Sequence, residues 1–160
     1  MRLRQQLELL DGPIEFVARP LPIAGDLRIS WGIGKILLIL GVSRAGQASF
    51  QKLHFLAHAS STQALQAEAI TLLRDPSASL IPSTRVEPWV NRAANFAIGL
   101  GYVDATPGHA VRMTEAGREV YDEIMKRTDV LVEEKAFMAD VRRLATEQNV
   151  NRVLWLDSLR

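Results

Sequence analysis

The stretch from Arg85 to Arg118 constrains the fold of this chain most strongly. It reads as five elements in a fixed order: an amphipathic helix through Val90-Asn91-Arg92-Ala93-Ala94-Asn95-Phe96-Ala97-Ile98-Gly99, a strand Leu100-Gly101-Tyr102-Val103-Asp104, a turn at Pro107-Gly108, a strand Val111-Arg112-Met113 and a second helix opened by Thr114-Glu115-Ala116-Gly117-Arg118. Gly101 ends the first helix, because glycine takes the left-handed conformation of a helix C-terminus without steric cost. Proline followed by glycine supplies the fixed φ and the permissive residue of a tight turn. Thr114 offers a capping hydroxyl to the last helix, and Glu115 places negative charge at its positive end. A helix, a two-stranded hairpin and a capped helix in this order describe a winged helix. The expected class is mainly α: a winged helix with a small β-hairpin wing, an N-terminal arm and a C-terminal helical extension.

The flanking sequence sets the expected organisation. Leu3, Leu7 and Leu10 recur at helical spacing until Asp11-Gly12-Pro13 stops them, which predicts a short helix over 2–10. Pro13, Pro20 and Pro22 then favour an extended arm through Asp26, with Phe16 and Val17 as candidates for docking on a partner or a second copy. Trp31 to Val42 is apolar apart from Lys35, which predicts a helix central to the core, although Gly32 and Gly34 leave a strand open. Ser49 to Ala59 carries Phe50, Leu53, Leu56 and Ala57 on one stripe, with Gln51, Lys52, His54 and His58 at its edges and Gly46 in the turn before it. Thr62 to Leu73 is a further helical piece, and Asp75-Pro76 with the Ser/Pro-rich 77–82 closes it. This insertion lengthens the turn well beyond that of a compact DNA-reading motif.

The third helix is expected to start near Arg85, with Ser83 or Thr84 as cap and Pro88 in its first turn. Val86, Val90, Ala93 and Ala97 form one apolar stripe. Trp89, Ala93, Phe96 and Leu100 form a second, so that only Asn91, Arg92 and Asn95 remain as a polar strip. From Val120 the chain is long, charged and helical to Glu147, with a last helix from Val150 to Leu159. The predicted divisions are an N-terminal helix and arm over 1–28, the winged helix over 29–127 with its insertion at 60–83, and the C-terminal extension over 128–160.

Composition excludes several functions. Nineteen Lys plus Arg against eighteen Asp plus Glu leave a net charge of +1, too little for a global field that draws nucleic acid, so any DNA contact must be local. Zero cysteines remove disulfides and thiolate metal sites, and three scattered histidines form a poor ligand set, so neither a metal nor a cofactor is expected. No nucleophile stands beside a positioned base, and no catalytic residue is assigned. Trp31-Gly32-Ile33-Gly34-Lys35 lacks the first glycine of a phosphate loop and the Ser or Thr after its lysine. His54 and His58, four apart on one helix face, have no third ligand beside them. The charged first residues do not form a signal peptide and the longest apolar run, Ile36 to Leu40, is far short of the roughly 18 residues that span a bilayer, so a cytoplasmic protein without a membrane partner is expected.

Two surfaces remain as candidates. Arg85, Asn91, Arg92 and Asn95 on the third helix, with His109, Arg112 and Arg118 around the wing, have the side chains that bond base edges and phosphates. One arginine on the exposed strip is nevertheless thin supply for a DNA reader, and the plainer reading turns this helix toward its own core or another protein. The second surface is the C-terminal end, where Val150, Leu154, Trp155 and Leu159 either dock on a partner or fold back over the Trp31–Val42 helix.

The blocks Phe55-Leu56-Ala57-His58-Ala59-Ser60, Arg85-Val86-Glu87-Pro88-Trp89-Val90-Asn91-Arg92-Ala93, Gly99-Leu100-Gly101-Tyr102-Val103 and Met113-Thr114-Glu115-Ala116-Gly117 resemble the middle components of bacterial ABC three-component defence systems, of which Lamassu is one. The resemblance covers roughly residues 28–150. It implies a non-catalytic subunit that sits with an SMC-like ATPase and an effector in an anti-phage or anti-plasmid complex, and it carries over no active-site residue. Two expectations stand: an accessory scaffold that clasps an SMC-like ATPase and touches DNA at most weakly, and a winged-helix transcription regulator that binds a palindrome as a homodimer.

Overall fold

The computed structural model describes residues 25–75, 77 and 86–158, and their side chains over 29–155. Phe16, Val17, Arg85, Leu159 and the helix expected over 2–10 lie outside the described residues. The described chain is mainly helical, with a small three-stranded antiparallel sheet.

The first helix, α1 (Gly25–Val42), begins inside the segment expected to be extended. Its centre explains why it is a helix and not a strand. Ile36, Leu37, Leu38, Ile39 and Leu40 are all at most 1% exposed, so every face of the helix meets a neighbour. Those neighbours are α2 (Phe50–Ala59), α4 (Pro88–Gly99), α5 (Glu115–Lys126) and α6 (Val132–Val141). Gly32 brings α1 close to α4: a Cβ there would stand 3.0 Å from the Ala93 Cβ and 3.1 Å from the Trp89 ring. Ser43 ends α1 by donating its hydroxyl to the Ile39 carbonyl at 2.7 Å.

A short 3-10 turn, Arg44–Gly46, then leads into β1 (Gln47–Ser49), a strand with no counterpart in the sequence-based expectation. It pairs with β3 (Ala110–Met113), which pairs in turn with β2 (Val103–Thr106), giving the order β1-β3-β2. Gln47 stands opposite Arg112, and Arg112 opposite Asp104. The predicted hairpin is present, with Gly108 at φ 81° and His109 at φ 53° in its turn. The His109 carbonyl accepts a hydrogen bond from the Phe50 backbone N–H at 3.0 Å, which ties the hairpin tip to the start of α2.

Ser49 caps α2 and Thr62 caps α3 (Gln63–Arg74), each accepting from the backbone N–H three residues on. α4 starts later than expected, with Glu87 as its N-cap residue and Pro88 at its first position. Thr114 caps α5 as expected, and its hydroxyl also donates to the Gly101 carbonyl at 2.6 Å. The charged stretch after Val120 is not one helix. It breaks after Lys126, and the left-handed Leu131 (φ 51°) precedes α6. α7 (Glu147–Ser158) closes the described chain against α2 and α3 rather than α1. Phe137, Met138, Val141, Val150 and Val153 belong to the same apolar cluster as α1, so the C-terminal helices share its core.

Lys35 is 1% exposed, with its ammonium 4.4 Å from the Trp31 ring centroid and 5.5 Å from that of Trp89. The near-match to a phosphate loop is therefore the interior of a helix. The two indole faces attract the cation, and its burial still holds its pKa below the ordinary lysine value. The folded chain thus releases this proton before the unfolded chain does, and stability contributed by Lys35 rises as pH climbs toward 10.5. Lys35→Met is expected to flatten that rise. The test is the difference between the urea midpoints of parent and variant from neutral to alkaline pH, in which groups common to both cancel; a difference that stays constant with pH would refute it.

Candidate functional site

α4 inherits its orientation from its buried stripe. Val90, Ala93, Ala94 and Ala97 are at most 2% exposed and pack into the core, which turns the opposite side outward. That outer side is not only the expected polar strip. Asn91, Arg92 and Asn95 are exposed, and with them Phe96 at 50% and Leu100 at 56%. Arg92, Phe96 and Leu100 follow at four-residue steps and so form one ridge. Of the second apolar stripe, Phe96 and Leu100 are therefore surface features, whereas Ala93 is buried and Trp89 packs on Trp31 at a ring-centroid distance of 5.2 Å.

The first turn of α4 is fixed by the two histidines of α2. The Glu87 backbone N–H donates to His54 Nδ1 at 3.1 Å, so the His54 proton sits on Nε2 and is donated to Asn91 Oδ1 at 3.2 Å. His58 Nδ1 lies 2.9 Å from Glu87 Oε1. The pair expected at ligand spacing thus clasps α2 to α4. Among the described residues no group of three or more His, Cys, Asp or Glu is placed to hold a metal ion. Asn91 is engaged in this clasp, which leaves Arg92 and Asn95 as the polar groups of the outer face without a hydrogen bond of their own among the described residues.

The remaining DNA candidates do not share the surface of α4. Arg112 lies on the central strand, exposed between Gln47 and Asp104. Arg118 stands on α5 with its guanidinium 5.6 Å from the Tyr121 ring centroid and beside Gly46. His109 is exposed at the hairpin tip. At the C-terminal end, where the sequence leaves both docking on a partner and folding back over the Trp31–Val42 helix open, Val150 is 0% exposed within the chain's own core, because α7 turns it toward α2 and α3. Leu154 is half-buried against that core, and Trp155 is 61% exposed.

A cationic cluster escaped the sequence reading. Lys52, expected at the edge of the α2 stripe, is 3% exposed, and burial holds its pKa below the ordinary lysine value. It lines an open groove of about 750 Å³ together with Arg44 and Arg142. Arg142 lies about ninety residues beyond Arg44 and Lys52, so the three leave no spacing signal in the sequence.

No protein-family model matches the chain, and neither does a curated protein or a solved structure. No helix among the described residues is long and apolar enough to cross a membrane.

Proposed function

We propose that the chain is a winged-helix subunit without a reaction of its own, which docks on an SMC-like, ABC-type ATPase through the outer face of α4 and couples it to an effector in an anti-phage or anti-plasmid complex. The fold reading is supported by the sheet order β1-β3-β2, with β1 between α1 and α2 and the hairpin directly after α4. The observation that carries the docking reading is the ridge of Arg92, Phe96 and Leu100. A helix that reads DNA offers cations and amides to phosphates and base edges, whereas this one offers two large half-exposed apolar side chains and a single charge. Aromatic, aliphatic and arginine side chains clustered on one face are the composition of a protein interface core. The occupant such a ridge fits is an amphipathic helix, as a coiled-coil ATPase presents.

Phe96→Asp with Leu100→Asp tests this directly. Both side chains are half-exposed, so the melting curve should change little, while two charges placed in an interface centre should weaken capture of the proposed SMC-like ATPase by about 100-fold or more. Undiminished capture would remove α4 as the docking face. If the purified chain is a dimer that footprints a defined operator, the regulator reading replaces this one.

A further inference from the structure

The groove between the 3-10 turn, the start of α2, the hairpin tip and the α6–α7 junction is lined by Arg44, Lys52 and Arg142, with Glu147 as its one acid. Glu147 is already engaged. Its carboxylate accepts from the Ser49 backbone N–H at 3.0 Å and from the Ser49 hydroxyl at 2.8 Å, which satisfies the N-terminus of α2. None of the three cations forms an ion pair or a side-chain hydrogen bond with the described residues. For Arg44 and Arg142, which are exposed, water meets that need. The Lys52 side chain is different, because it is packed inside the protein with only the charge of nearby Glu147 to offset its desolvation, a cost that an incoming anion relieves. We propose that this groove binds the sugar-phosphate backbone of a double-helical nucleic acid, with Arg44, Lys52 and Arg142 each facing a phosphate.

The lining selects this ligand over other phosphates. It contains no aromatic residue, so a nucleotide base or the exposed bases of a single strand would find nothing to stack on. Gln47, Thr146 and Gln148 supply neutral polar groups of the type that bond phosphate and sugar oxygens. The cations come from three elements along an open groove rather than from one enclosed pocket, which suits successive charges on a backbone. The site uses none of the α4 residues assigned to protein docking, so the two readings fail or stand separately.

The test is fluorescence anisotropy of the full chain with labelled duplex DNA of about 20 base pairs and unrelated sequences. Each phosphate contact contributes a salt slope of about −0.9, so three contacts should cost about 40-fold in affinity between about 50 and 200 mM salt. Arg44→Ala with Arg142→Ala, both at exposed positions, should reduce that to about 4-fold, while Phe96→Asp with Leu100→Asp leaves it unchanged. A duplex RNA of the same length identifies the source: whichever duplex binds more tightly and loses binding in the arginine variant is the ligand. Absence of binding to either duplex at low salt, an unchanged slope in the arginine variant, or a single strand binding as tightly as the duplex would overturn the assignment.

Discussion

Ending the chain after Gln148 is expected to abolish cooperative folding. The deletion removes Val150 and Val153, both 0% exposed, and uncovers the faces of α2 and α3 that they pack on. Fully burying an aliphatic side chain is worth about 1.5–3 kcal/mol, so the two valines alone account for about 3–6 kcal/mol, comparable with the entire stability of a small domain. Polar contacts go with them. Arg152 donates to the Leu72 and Leu73 carbonyls at 3.1 and 3.2 Å, closing the last turn of α3, and the Asn149 amide donates to the Leu144 carbonyl at 2.8 Å. The readout is a thermal melt followed by far-ultraviolet circular dichroism. A truncated chain that keeps the parent's sharp transition and midpoint would show that α7 is dispensable and would return the tail to the partner-docking candidates.

Gly117→Ala is expected to cost about 3 kcal/mol, lowering Tm by about 10 °C. A methyl group at this position would land on the Tyr102 carbonyl oxygen, far inside contact distance, and would crowd the Met113 side chain. A carbonyl of the main chain cannot rotate away as the tip of a side chain can, and Tyr102 is held on both sides. Its N–H donates to the Ala97 carbonyl at 2.9 Å, and its carbonyl accepts from the Thr114 N–H at 3.0 Å. The substitution therefore forces α5 away from the junction of α4 and β2. Ala116→Gly, one residue earlier at an exposed position, is the control, and helix propensity sets its cost at about 1 kcal/mol. A Gly117→Ala protein no less stable than this control would mean that the close approach is relieved without loss.

Next to Gly117, local chemistry was readable. Thr114 and the Pro107-Gly108 turn carry their roles in their own residue types, and the elements they punctuate stand where the pattern puts them, whereas the close approach at Gly117 emerges only from the packing. β1 had no such signal. Gln-Ala-Ser is too short for its alternation to stand out and has no β-branched residue, and its pairing comes entirely from β3, more than sixty positions later. The start of α4 moved from Ser83 or Thr84 to Glu87 because Pro88 occupies the first helical position, where its missing N–H costs nothing. Burial was the harder quantity. Helical periodicity marks an apolar face but not how many neighbours share it, so Phe96 and Leu100, which could face the core or another protein, lie at the surface, while Lys35 and Lys52 carry charge and lie inside. The groove was illegible for a related reason, since tertiary packing alone brings Arg142 to residues 44 and 52.

The seam between α1 and α4 leaves no room for sliding. Backbone meets side chain there at Gly32 with nothing between, and the Trp31, Trp89 and Lys35 stack closes the same edge. The two helices consequently behave as one beam, whose far end, at Val42, borders the cationic groove. Force delivered to the Phe96 ridge is then expected to pass along this beam instead of being absorbed by a bending joint. In an assembly of the proposed kind the chain is a strut, fixing the spacing between what it grips and what it touches.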